Sequence, residues 1–136
     1  MKLSVIIPVH SEVEVLREVV HGLVERAREV LAGIILIVSP KSGEETLVVC
    51  EELQRSFPFL TYHLQQRNPG LGRAYREAFP RVTGTHVLII DGDGEMDLET
   101  VPKMIDAARE GADLVLASRW MKGSRVYDYD PLTYVL

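Results

Sequence analysis

What this 136-residue sequence lacks narrows its class before any motif is read. No apolar run approaches the roughly 18–20 residues that a helix needs to cross a bilayer. The opening "MKLSVIIPVH" is too short for a secretory signal, so the sequence predicts a cytoplasmic-type domain with at most peripheral membrane contact. A single cysteine, Cys50, excludes an internal disulfide and fits a reducing compartment; within "TLVVC" it reads as a buried helical residue. Basic charge is also short. The formal net charge of −5 argues against nucleic acid as a partner, because phosphate backbones select a basic face. His10, His21, His63 and His86 show no metal-ligand spacing. Repeats, low-complexity tracts and linkers are absent, and the length suits one domain that buries about two-thirds of its unfolded surface.

What is present is a regular alternation. Short β-branched runs predict strands at 3–9, 34–39, 61–66, 85–91 and 113–118. Most are continuously apolar, as strands covered on both faces of a parallel sheet should be. Between them, helical spacing predicts helices at about 12–32, 44–57, 70–82 and 98–110. Ser11 and Glu14 have the spacing of a capping box for the first, and Gly33 stands where it would end. Pro102 fits the fourth only within its first turn, where a missing N–H costs little. Strand–helix alternation repeated four times predicts right-handed βαβ units and a three-layer α/β/α sandwich on a mostly parallel, Rossmann-like sheet. In such sheets ligands bind beyond the carboxyl ends of the strands.

One of those ends is "HVLIIDGDGEMDLE", where an apolar strand runs into Asp91, Asp93, Glu95 and Asp97. Two carboxylates about 5 Å apart repel by roughly 3 kcal/mol at an effective dielectric near 20, so such a cluster calls for a counter-ion. An EF-hand loop does not fit, because its sixth position would be Met96 rather than Gly and its twelfth Pro102 rather than Glu. A dinucleotide or P-loop fingerprint is missing as well. Two readings of the acids are left. One is a hard divalent cation, Mg²⁺ or Mn²⁺, with Gly92 and Gly94 kinking the chain so that two side chains reach it. The other is a solvated acidic turn that caps the next helix through Asp97.

Four segments in order then resemble the family 2 glycosyltransferases of GT-A fold, most closely the dolichyl- or polyprenyl-phosphate hexosyltransferase branch. They are "SVIIPVHSEVEVL", "RNPGLGRAYREAF", "IIDGDGEMD" and "GADLVLASRWMKGS", and they run from residue 3 to about 125. The resemblance implies a donor-binding half at 1–125 that holds a GDP- or UDP-hexose. Pro8, His10 and Glu12 would line its nucleotide pocket, and Gly70, Gly72 and Arg73 would shape and charge the loop near the sugar. Asp91 and Asp93 would be the D-x-D that meets the diphosphate and the metal, with Glu95 as a third ligand. Asp93 and Arg119 would carry the catalytic charge, Arg119 facing the diphosphate or a lipid-phosphate acceptor. The implied reaction transfers a hexose with inversion.

Two departures stand out. Ser39 and Pro40 occupy the places of two family aspartates, one of which reads the nucleobase, and Lys41 follows as an alternative contact to base or ribose. Residues 126–136 read as the start of an acceptor region that is missing or completed by a partner, with an apolar tail suited to homodimer contacts. Three function classes therefore compete. The first is a metal-dependent hexosyltransferase; the second is a non-catalytic sugar-nucleotide-binding or interaction module on the same scaffold. The third, a nucleotidyltransferase, lacks the Gly-rich phosphate loop it would need near the N-terminus.

Overall fold

The structure, a computed structural model, describes residues 1–66, 70–120 and 122–123. Four parallel strands form one sheet in the order β3-β2-β1-β4. They are β1 (Leu3–Val9), β2 (Leu31–Val38), β3 (Leu60–Leu64) and β4 (His86–Ile89). The helices are α1 (Glu14–Ala27), α2 (Glu44–Ser56), α3 (Leu71–Ala78) and α4 (Thr100–Arg109), with a 3-10 turn, Phe79–Arg81, after α3. The expected α/β architecture is thus present.

Continuous apolar runs follow from burial on two faces. On one face, Val5, Ile7 and Val9 of β1 and Ile34, Leu36 and Val38 of β2 pack with Leu16, Val20 and Leu23 of α1, Val49 and Leu53 of α2, and Val101 and Ile105 of α4. On the other, Ile6, Ile35 and Ile37 meet Ala74 and Ala78, whose small side chains let α3 lie close to the sheet. α1 buries Leu16, Val19, Val20, Leu23 and Ala27, one stripe at helical spacing. Arg26 of α1 pairs with Glu99 just before α4, and Arg17 pairs with Glu52 of α2, tying together the helices of this layer.

The start of β4 is fixed by Ser4. Its buried Oγ accepts the N–H groups of Thr83 (3.2 Å) and Gly84 (2.9 Å). Gly84 is required there, because a Cβ would stand 2.6 Å from the Lys2 carbonyl oxygen.

Several expectations are corrected. No fifth strand forms among the described residues: 113–118 has no ladder, and Leu114 and Leu116 are 76% and 74% exposed. Strand propensity is context-dependent, and among the described residues 113–118 does not join the sheet although the outer edge of β4 is open. α1 ends at Ala27 rather than near residue 32, because Val30 N–H donates to Ala27 O and Leu3 N–H to Val30 O, which starts β2 early. Gly33 lies inside β2, where a Cβ would meet Phe59 O at 3.3 Å. The Ser11–Glu14 capping box does not form; Val13 is the N-cap and no side chain caps it. Pro102 does fall in the first turn of α4, and Gly111, at φ +102, follows its end. The tail 126–136, with the homodimer call placed on it, lies outside the described residues.

Candidate functional site

The sheet opens at one place, and the sequence dictates where. The β1–β4 ladder ends at Ile6 and Ile89, with Ile90 N–H donating to Ile6 O at 3.2 Å. Ile6 faces β4, whereas Val9 accepts from Ser39 N–H on the β2 side. Pro8, two residues after Ile6, therefore points its missing N–H toward β4, and a proline cannot extend that ladder. Beyond it the strands separate. The chain also reverses direction across the sheet here, with β2 and β3 on one side of β1 and β4 on the other, so this is the topological switch point.

A cleft of about 470 Å³ fills the opening. Four chain segments at the carboxyl edge line it: Pro8 to His10 and Glu12 after β1, Ser39 and Lys41 after β2, Gln65 and Gly70 after β3, and Asp91 to Asp93 after β4. Ile37, Leu71 and Ala74 supply its apolar wall. The volume is of the size that small ligands occupy, roughly 300–1,000 Å³. A larger hollow of about 800 Å³, lined by Glu18, His21, Arg28, Leu31 and Phe59 among others, lies at the amino ends of β2 and β3, where no strand mouths converge.

Three acids stand at one end of the cleft. Glu12 braces its loop, its Oε2 accepting the N–H groups of His10 (2.6 Å) and Ser11 (3.0 Å). Asp93 Oδ1 accepts Glu95 N–H at 3.0 Å across a turn in which Gly94 takes φ +77. Asp91 has its carboxyl pushed above the usual range, first by burial and then by the charges of Asp93 and Glu12. The charge of Asp91 also reaches across the cleft: after burial, it is what raises the Tyr75 phenol on α3. Behind the acids, burial and then Glu12 push the Cys50 thiol up to about 11. The charges of Asp93 and Glu12 thus act on Asp91 in the sense anticipated from the sequence, and a positively charged occupant would offset them.

At the other end, Gly70 at φ +146 opens α3, and its carbonyl accepts Arg73 N–H, Ala74 N–H and Gln65 Nε2–H at 3.0–3.2 Å. Ser39 Oγ accepts Lys41 N–H at 3.2 Å, a local turn after β2 whose two residues line the cleft.

Of the residues named from sequence, Pro8, His10, Glu12, Gly70, Asp91 and Asp93 come together, and Gly72, Arg73, Glu95 and Arg119 are not in the lining. Gly72 and Arg73 lie in the first turn of α3 with their side-chain positions exposed. Glu95 is exposed beyond the Asp93 turn, and among the described residues no three His, Cys, Asp or Glu side chains are grouped to hold a metal. The turn that ties Asp93 to the Glu95 backbone is local and does not fold the Glu95 side chain back. Arg119 follows 113–118, which forms no strand among the described residues, and it is not in the cleft lining. Asp97 is not the cap expected on the second reading of the acids: Glu99 is the N-cap of α4 and no side chain caps it. Asp97 instead holds the turn before the helix, its Oδ1 accepting Glu99 N–H and its carbonyl accepting Thr100 N–H, both at 3.0 Å. Gln65 was not singled out in the sequence. It is a buried amide one residue past the end of β3, at the edge where ligands bind, and the local sequence pattern does not mark that burial.

Comparison with known proteins agrees with this geometry. The chain matches the family described as glycosyl transferase family 2 over residues 4–134. It is 30% identical over 129 residues to a dolichol-phosphate mannosyltransferase of Pyrococcus furiosus, covering 95% of this chain and 36% of that protein. It is 28% identical over 116 residues to an undecaprenyl-phosphate 4-deoxy-4-formamido-L-arabinose transferase of Sodalis glossinidius, covering 84% and 36%. The chain thus spans about a third of the length of these relatives. Among solved structures it shares the fold of S. aureus TarS, at TM-score 0.60 and 22% identity, covering 80% of this chain and 20% of TarS. A TarS structure in complex with UDP-GlcNAc matches at TM-score 0.58, covering 80% of this chain and 32% of that one. The chain belongs to glycosyl transferase family 2, and its fold is the GT-A α/β arrangement.

Proposed function

We propose that this chain is the donor-binding half of a hexosyltransferase that moves a sugar from a nucleotide diphosphate to a polyprenyl phosphate, with inversion. The observation that carries the reading is the cleft at the switch point, with Asp91 and Asp93 at one end and uncharged and basic groups at the other, in a chain of this family. The relatives, a dolichol-phosphate mannosyltransferase and an undecaprenyl-phosphate transferase, support a lipid-phosphate acceptor. No helix among the described residues is long and apolar enough to cross a membrane, so peripheral contact is what the reading asks of this part of the chain.

The acid pair fits Mg²⁺ or Mn²⁺ as a partial shell. Asp91 and Asp93 supply two carboxylates whose mutual repulsion favours a cation, and ions of this kind are held by one or two carboxylates with the substrate's phosphates. Such an ion, when bound, supplies charge neutralisation for the departing diphosphate. The remaining work falls to the chain. The Glu12 brace holds the His10–Ser11 backbone at the rim, the Pro8 opening admits the diphosphate, and the apolar wall of Ile37, Leu71 and Ala74 excludes water on one side. In the transfer, the bond from the anomeric carbon to the diphosphate oxygen breaks as an acceptor phosphate oxygen attacks from the opposite face. That oxygen is already anionic, so no general base is required.

Arg119 outside the cleft favours a second reading, a nucleotide-sugar-binding module without transfer. Incubation of the chain with labelled nucleotide sugar, Mn²⁺ and polyprenyl-phosphate vesicles separates the two. Labelled lipid that is lost in Asp93→Asn supports transfer. Metal-dependent donor binding without labelled lipid supports the module.

A further inference from the structure

The two ends of the cleft differ in charge, and the strand order gives that difference a direction. Adjacent strands lie about 4.8 Å apart, so the mouths of β4 and β3, three spacings apart, are separated by roughly 14 Å. That is the scale of an extended nucleoside diphosphate. If the phosphates lie by Asp91 and Asp93 at the β4 mouth, the base reaches the mouths of β2 and β3. The residues waiting there are Ser39, Lys41 and Gln65, against Ile37, Leu71 and Ala74.

Among the described residues this end of the lining holds no carboxylate. Ser39 Oγ already accepts Lys41 N–H, which leaves its hydroxyl hydrogen to donate. The Lys41 ammonium has three N–H donors and no acceptor. Pro40, between them, brings neither an N–H nor a charge. Gln65 is committed through Nε2 to Gly70 O. Among the described side chains, Ser39 and Lys41 therefore offer donors at the base end, with no carboxylate beside them.

We propose that this end selects uracil over guanine, with Ser39 and Lys41 donating to the base carbonyls. Uracil presents two carbonyl acceptors and a single N–H. Guanine presents one carbonyl and an edge of three hydrogens on N1 and N2, which is satisfied best by a carboxylate that accepts two bonds at once. An end without a carboxylate would pair those hydrogens less well, and sites discriminate strongly against a ligand whose polar groups they cannot pair. Adenine has no carbonyl at all. The inference rests on the nucleotide-sugar reading above and names the base within it.

The test is calorimetric titration of the chain with UDP and with GDP in the presence of Mn²⁺, repeated on Lys41→Met and Ser39→Asp. UDP should bind at least tenfold more tightly than GDP. Lys41→Met should lose about tenfold for UDP and much less for GDP, and Ser39→Asp should narrow or reverse the preference. Circular dichroism melts of each variant show that it is folded. GDP binding as tightly as UDP would overturn the base selection and leave the donor site standing. An equal loss for both nucleotides in Lys41→Met would assign that lysine to the phosphates and overturn its role here. A cooperatively folded chain that binds neither nucleotide would overturn this inference and the donor reading together.

Discussion

Gly94→Ala is the substitution that tests the acid turn most directly, since its cost can be worked from the structure. Gly94 has φ +77, and a Cβ built there stands 2.6 Å from Val15 Cγ2 on α1. The left-handed backbone costs an L-residue roughly 1–2 kcal/mol. Val15 must also yield, and a β-branched side chain on a helix has one strongly preferred rotamer, so moving it adds about 0.5–1.5 kcal/mol. The sum is about 1.5–3.5 kcal/mol. For a chain of this length each kcal/mol shifts the melting temperature by roughly 3–5 °C, so the variant should melt about 5–17 °C below the parent.

The same change disturbs the Asp93 Oδ1 to Glu95 N–H bond across the turn, so metal-dependent nucleotide binding should weaken at least tenfold at a temperature where the variant is still folded. Gly72→Ala is the control: it lies in the first turn of α3 with nothing within 4 Å of the added Cβ. It should be neutral or stabilise by up to about 0.5–1 kcal/mol, with binding unchanged. A Gly94→Ala chain that melts within about 1 °C of the parent would refute the reasoning, because neither the backbone strain nor the Val15 contact would then exist.

Ser4→Ala removes the acceptor for the Thr83 and Gly84 N–H groups and should cost about 2 kcal/mol, read from urea denaturation; an unchanged midpoint would show that water replaces the hydroxyl. Asp91→Asn should raise the melting temperature of the ligand-free chain at pH 7 while weakening donor binding. With its carboxyl pushed up by burial, Asp93 and Glu12, the native state holds that proton more tightly than the unfolded chain, so stability is lost as pH rises from the ordinary carboxylate range through the raised value. The gain from Asn should therefore vanish at acid pH, and a gain that is the same at pH 4 and pH 7 would contradict it. Cys50, with its thiol at about 11 and its side chain fully buried, should react with a thiol reagent at pH 8 only through unfolding, at least a hundredfold more slowly than in urea. Fast labelling of the native chain would place it elsewhere.

Where local chemistry decided an element, the sequence was legible. β1 has the bounds its apolar run predicts, Pro102 falls in the first turn of α4, and the acids meet a cleft at the carboxyl edge. The misses have one physical cause. Residues 28–33 and 113–118 carry patterns that suit either structure, and what settles them is a partner distant in sequence. Val30 turns early because Leu3 takes its carbonyl, and Leu114 and Leu116 stay exposed because no described strand pairs with them. Gln65 and the Glu12 brace depend likewise on loop geometry, which spacing along the chain does not encode.

Pro8 links these levels. A proline in a central strand removes one donor, and here the lost donor is the one that would have continued the β4 ladder. The sheet opens because of that single residue type, and the buried Gly92 fits the opening, where a Cβ would lie 3.3 Å from both Ile7 and Leu16. The chain then brings Asp91, Asp93 and Glu12 close enough that their charges oppose one another. Their repulsion opposes that arrangement, although Glu12 and Asp93 each also hold a loop through backbone hydrogen bonds. Such strain in a ligand-free fold is characteristic of sites whose occupant supplies the missing charge. For a cleft with acids at one end and donors at the other, that occupant carries a cation beside its phosphates and carbonyls on its base.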